Sequence, residues 1–194
     1  MHDGEGSSQR GRAQDDEYFR RRNQELIERQ RRYAEAEAER RLIAQAIGVD
    51  DDEVVLDLLL ADYKADTIVL LELTPPVQVA WADGSVSKRE RELLLKIAAR
   101  EHVAQNSPAY GQLEDWFDRP PSAHLFDTSL RAIGRILASL QPEVRASLRR
   151  KLIDDCTAIA AASGGVLRWG RPEANEEQQV IDRIRAELSG RPTR

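Results

Sequence analysis

The sequence predicts an all-α protein, a bundle of about seven helices preceded by a long charged N-terminal helix, for reasons that lie in its own spacing. Apolar residues recur three and four apart through most of the chain, and no segment alternates over strand length with β-branched enrichment. Between the periodic segments stand N-cap residues, prolines and glycines, the ordinary punctuation of helices. With 194 residues, 41% hydrophobic and 32% charged, the chain has material for one domain plus an appendage.

Residues 1–14 are rich in Gly, Ser, Gln and Arg and offer no large aliphatic side chain after the first residue, so they are expected to be disordered. Residues 15–48 form a charged helical arm that contains no Gly or Pro before Gly48. Its charges fall at i,i+4 spacing: Asp16 with Arg20, Glu17 with Arg21, Glu25 with Arg29, Glu28 with Arg32 and Glu37 with Arg41. A thin apolar line runs through Phe19, Leu26, Tyr33, Ile43 and Ile47, but the second seam a coiled coil needs is mostly polar. The arm therefore reads either as a solvated or loosely docked helix or as a helix for self-association or for a protein partner.

Residues 49–190 form the helical domain, and residues 191–194 a frayed tail. Gly48 closes the arm, and Asp50, Asp51 and Asp52 supply N-cap chemistry for a helix bearing Val54, Val55, Leu58 and Leu59. After the apolar run Ile68–Leu73, Thr74 is the expected N-cap and Pro75 the first helical residue of a helix that ends at Asp83 and Gly84. Ser87 and Glu90 make a capping box for the next helix, with Leu93, Leu94, Ile97 and Ala98 on its inner face. A short amphipathic piece, YGQLEDWF, stops at Pro120 and Pro121. Asp127 is the expected cap of the segment TSLRAIGRILASL, and Pro142 opens a helix with a core stripe of Leu148, Leu152, Ile153, Cys156, Ile159 and Ala160. Gly164 and Gly165 end that helix, and a last one runs to Leu188 with Val180, Ile181 and Ile184 inward.

Composition excludes several function classes. Charged residues interrupt the most hydrophobic region at Asp57, Asp62, Lys64, Asp66 and Glu72, so no membrane span is expected. The polar start predicts no secretory signal, and the single Cys156 can form neither an internal disulfide nor a zinc site alone, which together point to the cytoplasm. Arginines are interleaved with acids and the net charge is -5, a poor match to nucleic acid.

One unusual turn occurs twice. VAWADGSVSKRERELLLKIA is a helix, a glycine turn and a second helix opened by an acid, and IAAASGGVLRWGRPEANEEQQVIDRI repeats the plan with a longer turn. Ala82, Asp83 and Gly84 correspond to Ser163, Gly164 and Gly165, and Glu90 to Glu176 or Glu177. Two such hairpins can pack about a pseudo-twofold axis with their elbows together. AWADGSVSKRERE resembles the signature turn of the TerB-like tellurite-resistance domain, and ASGGVLRWGR with Glu177 resembles its second-half counterpart, over about two thirds of the chain from Asp66 to Leu188. The resemblance implies a compact helical domain without established catalytic activity, an association with bacterial stress response and with membrane-linked assemblies, and a divalent-metal site at the acidic turns.

On this resemblance Asp83 and Glu90 match the acidic positions of the first turn, while Gly164 stands where an aspartate would ligate in the second, leaving Glu177 or Glu176. With Asp155 or Asp154 these residues could supply part of the oxygen shell of a hard cation. The same residues also serve the fold: Asp83 can bond its own turn, Gly84 can take positive φ, and Glu90 caps Ser87. His102 and His124 read as surface residues, Cys156 as a buried inert thiol, and Trp81 and Trp169 as packing between the hairpins. The expected function is a non-enzymatic interaction or metal-responsive module. A metal-dependent hydrolase using Asp83, Glu90 and Asp155, or an oligomerisation scaffold using the arm, are the alternatives.

Overall fold

The computed structural model describes residues 5–49, 51–162 and 172–189, apart from the side chains of residues 5–16, 19 and 172–175. The chain divides into two units, Met1–Arg41 and Leu42–Arg194. Among the described residues there are eight α-helices and one 3-10 segment, and no strand: α1 (Glu5–Ile47), α2 (Asp52–Leu60), the 3-10 segment (Ile68–Leu73), α3 (Thr74–Ala80), α4 (Lys88–Arg100), α5 (Pro108–Asp118), α6 (Ala123–Ser139), α7 (Pro142–Ala162) and α8 (Pro172–Glu187). The all-α reading holds.

Helix α1 begins at Glu5, ten residues before the start expected from composition. The segment contains no proline, and adding residues to a helix already nucleated costs far less than starting one, so composition alone misjudged residues 5–14. In the first unit Arg21 pairs with Glu17 and Arg32 with Glu28 at 3.6 Å, as the spacing predicts; Glu37 takes Arg40 at 3.8 Å rather than Arg41.

The second unit is organised around α3. Six of its seven residues are buried, and it packs against α6, α7 and α8. Prolines at 75 and 76 are tolerated because the first turn of a helix needs no donor there. Thr74 is not the N-cap. It sits inside the helix and donates its hydroxyl to Leu70 O at 3.0 Å, because the preceding 3-10 segment runs directly into α3 and leaves no extended residue to act as a cap. Helix α6 likewise starts four residues before Asp127: Ser122 caps it, its Oγ accepting from Leu125 N at 3.1 Å.

Several local readings hold as written. Gly48 closes α1 at φ +67, and Asp51 caps α2 by accepting from Glu53 N and Val54 N at 3.1 and 3.3 Å. Helices α2 and α4 both end in a Schellman motif with a non-glycine residue in the left-handed region. Asp62 and His102 each have φ 63. Tyr63 N donates to Leu58 O at 3.0 Å and Val103 N to Ala98 O at 2.9 Å, closing the wide bond of the motif in each case. His102 thus has a backbone role that its spacing from His124 did not suggest.

The core collects Leu58, Leu70, Leu73, Val79, Leu94, Leu113, Leu130, Leu152, Ile159 and Ile184, all nearly or fully inaccessible. At roughly 1.5–3 kcal/mol for each large apolar side chain buried, this layer is the main favourable contribution to folding.

Candidate functional site

The first elbow joins α3 to α4. Trp81 caps α3, and its Nε1 donates to Trp116 O at 2.7 Å, fastening the elbow to the end of α5. Gly84 adopts φ +90, a conformation that favours glycine, and its N–H donates to Trp81 O at 3.0 Å. Asp83 is exposed and accepts from Ser85 N at 3.0 Å through Oδ1, an Asx turn.

The capping box is complete. Ser87 Oγ accepts from Glu90 N at 3.3 Å, and Glu90 Oε2 accepts from Ser87 N at 2.7 Å. Such a box ordinarily lies at the surface; here Glu90 is 1% exposed, and its second oxygen, Oε1, is buried with no hydrogen-bond partner among the described residues. A carboxylate oxygen held that way is expensive, because lost hydration is not replaced. Burial pushes the Glu90 carboxyl above its ordinary value, the two Ser87 hydrogen bonds pull it back, and the charges of Asp83 and Glu177 push it further up.

The two acids that act on Glu90 through their charge, Asp83 and Glu177, are both residues that the repeated turn singles out. Glu177 lies on α8 and is 4% exposed, whereas its neighbour Glu176 is exposed, which settles which of the two turns inward. Gly164, Gly165, Ser163 and Trp169 lie outside the described residues. As placed, no three His, Cys, Asp or Glu side chains among the described residues converge to grip an ion. A hard cation at the elbow would therefore take part of its shell from water, as magnesium ordinarily does. The donor set is all oxygen, the chemistry a hard cation prefers, and one buried oxygen lacks a partner among the described residues.

Asp155 does not join this group. Although 7% exposed, it receives both ends of the Arg100 guanidinium, Nη1 on Oδ1 at 3.0 Å and Nη2 on Oδ2 at 2.6 Å. Arg100 ends α4, ten residues beyond Glu90, or about 15 Å along a helix axis. The helical stripe places Asp155 on the inner face of α7, but only the fold could choose Arg100 over the sequence neighbours Arg149 and Arg150. The same corner holds Glu101, which accepts from Arg100 Nε at 2.8 Å and from Lys151 Nζ at 2.6 Å, and Lys151 also reaches Glu72 at 2.7 Å. Burial works against the Glu101 charge, but Lys151 and Arg100 outweigh it and hold the carboxyl below its ordinary value.

Two features escaped the sequence. Tyr63 is 1% exposed, and its hydroxyl bonds Thr74 Oγ1 at 2.6 Å and Ser129 Oγ at 2.8 Å, a buried polar relay between α2, α3 and α6. Burial pushes its pKa up to about 12, so it stays neutral. Nothing in the local spacing marks these hydroxyls as partners, since 66 residues separate Tyr63 from Ser129. The second feature is a half-open cleft of about 400 Å³ walled by Ile68, Val69, Ile133, Ile136, Leu148 and Leu152, with Glu72 and Glu101 at its edge. Cys156 is buried, as its place on the apolar stripe predicts, and burial foremost, with Asp155 beside it, raises its thiol far above the reactive range. No helix among the described residues is long and apolar enough to cross a membrane. Comparison with known protein families, with curated proteins and with solved structures finds no match to this chain.

Proposed function

We propose that this chain is a non-enzymatic helical module whose acidic elbow, Asp83, Glu90 and Glu177, responds to a divalent cation, and whose N-terminal helix makes a protein contact. The resemblance of the elbow to the TerB-like turn suggests a setting in bacterial stress response, with an assembly at the membrane as one place where it would act. The observation that carries the reading is the buried Glu90 Oε1, without a partner among the described residues and under the charges of two further acids. A cation there would offset a repulsion the fold otherwise bears, so binding and folding are coupled. Both oxygens of Asp155 are engaged by Arg100, which leaves it poorly placed to ligate a metal for a hydrolytic reaction and favours the non-enzymatic reading over the hydrolase alternative.

The test is thermal melting of the full chain against calcium, magnesium and zinc. At a hundredfold excess over Kd, binding adds about 2.7 kcal/mol, or roughly 5–10 °C for a chain of this size. An unchanged melting temperature with all three ions rejects the cation reading.

A further inference from the structure

The first unit is a single helical segment that displays Leu26 at 48% and Tyr33 at 71% exposure, seven residues apart on one line. Three residues after Leu26 comes Arg29, and Arg22 stands seven before that, so the companion line of the seam is basic. Arg21, Arg31, Arg32 and Arg40 all have an acidic partner within their own helix. Arg22 and Arg29 have none among the described residues, although Glu25 stands four before Arg29. The surface over residues 26–33 is a shallow concavity lined by Leu26, Arg29, Gln30 and Tyr33 together with Arg32. The first four stand at i, i+3, i+4 and i+7, the four-residue hole that receives a side chain from a facing helix.

From this pattern we propose that a second copy of the chain is the partner of α1, and that the two copies pair antiparallel across residues 22–33. In a parallel pair like positions meet, so Arg22 faces Arg22 and Arg29 faces Arg29, two layers of like charge. In an antiparallel pair the two lines of the seam cross. Leu26 then meets the alkyl stem of Arg29 from the other copy, and Tyr33 offers its ring to Arg22, a stacking partner suited to a guanidinium. Glu25 flanks Arg32 of the other copy on both sides of the same register. The alternation of apolar and arginine residues, which spoils an ordinary parallel seam, is self-complementary when one strand is reversed. The inference rests on reading the arm as a contact element and adds the identity and direction of its partner.

Two measurements on the full chain decide it. Sedimentation is expected to show a concentration-dependent monomer–dimer equilibrium, weakened on the order of tenfold or more by Leu26→Asp. Cysteine trapping reads the direction. Arg22→Cys alone is expected to give no disulfide dimer, because the two positions lie about 16 Å apart along an antiparallel pair, whereas a mixture of Arg22→Cys and Tyr33→Cys chains is expected to cross-link. Native Cys156 is buried and does not compete. Efficient cross-linking of Arg22→Cys with itself would overturn the antiparallel register while leaving self-association in place. A chain that is monomeric at every concentration would overturn the inference and leave the arm free to bind a different protein.

Discussion

At the C-terminal end of α4, Glu101 and Asp155 lie among Arg100 and Lys151, and every carboxylate in the corner has a cation within hydrogen-bond distance. At the N-terminal end of the same helix, Glu90 is more deeply covered, yet its hydrogen bonds come from Ser87 rather than from a cation, and the charges of Asp83 and Glu177 repel it. The two ends start from similar chemistry and have opposite consequences: Glu101 is easier to ionise than an ordinary glutamate, and Glu90 harder. A protein bears an uncompensated buried acid at a cost, so the α3–α4 elbow, and not the larger ionic network, is the place to look for a ligand.

Breaking the compensated end should have the larger effect. Asp155→Ala leaves Arg100 without its two-pronged partner and opens space in a buried position. Loss of a fully buried pair costs about 3–5 kcal/mol; because Arg100 is 49% exposed, water can take over part of its solvation, and about 2 kcal/mol is expected after that discount. Chemical denaturation of the variant beside the parent reads the difference directly, and a change within about 0.5 kcal/mol, the ordinary surface range, would mean that the corner is not a structural clasp.

At the elbow the sign reverses. Glu90→Gln keeps the capping box, since glutamine can also accept from the Ser87 backbone, but removes a buried charge and puts an amide donor in place of the oxygen that has no partner among the described residues. In chelated buffer at neutral pH the variant is expected to melt higher than the parent, by roughly 1 kcal/mol of added stability, and to lose any response to calcium, magnesium or zinc. A variant that melts lower, or that still responds, would place the Glu90 carboxylate outside the cation-sensitive group.

How much of this contrast could be read in advance follows from sequence distance. The capping box was legible because both of its bonds close within three residues, and Asp51 and Gly48 were legible for the same reason. The approach of Asp83 and Glu90 to Glu177 could be anticipated only through the repeated hairpin, which tells where α8 begins but not which of two adjacent glutamates turns inward. The clasp was not legible, because Arg100 and Asp155 are 55 residues apart and Lys151 lies 79 from Glu72. Helix starts were misread where a stronger cap stood upstream, as at Ser122, or where one helix ran into the next, as at Thr74.

The pH dependence of the two ends has opposite sign. Glu101 has a folded value below its unfolded one, so its contribution is present above the unfolded value and disappears as pH falls through the folded one. Glu90 has a folded value above its unfolded one, so stability is lost as pH rises from the unfolded toward the folded value, and stays lost above it. The most direct measurement is an NMR titration of the Glu90 and Glu101 side-chain carboxyls in the folded full chain, first in chelated buffer and then with calcium. The account predicts that Glu90 titrates above Glu101, and that calcium lowers the Glu90 midpoint while leaving Glu101 where it was. Equal midpoints, or a Glu90 midpoint indifferent to calcium, magnesium and zinc alike, would contradict it.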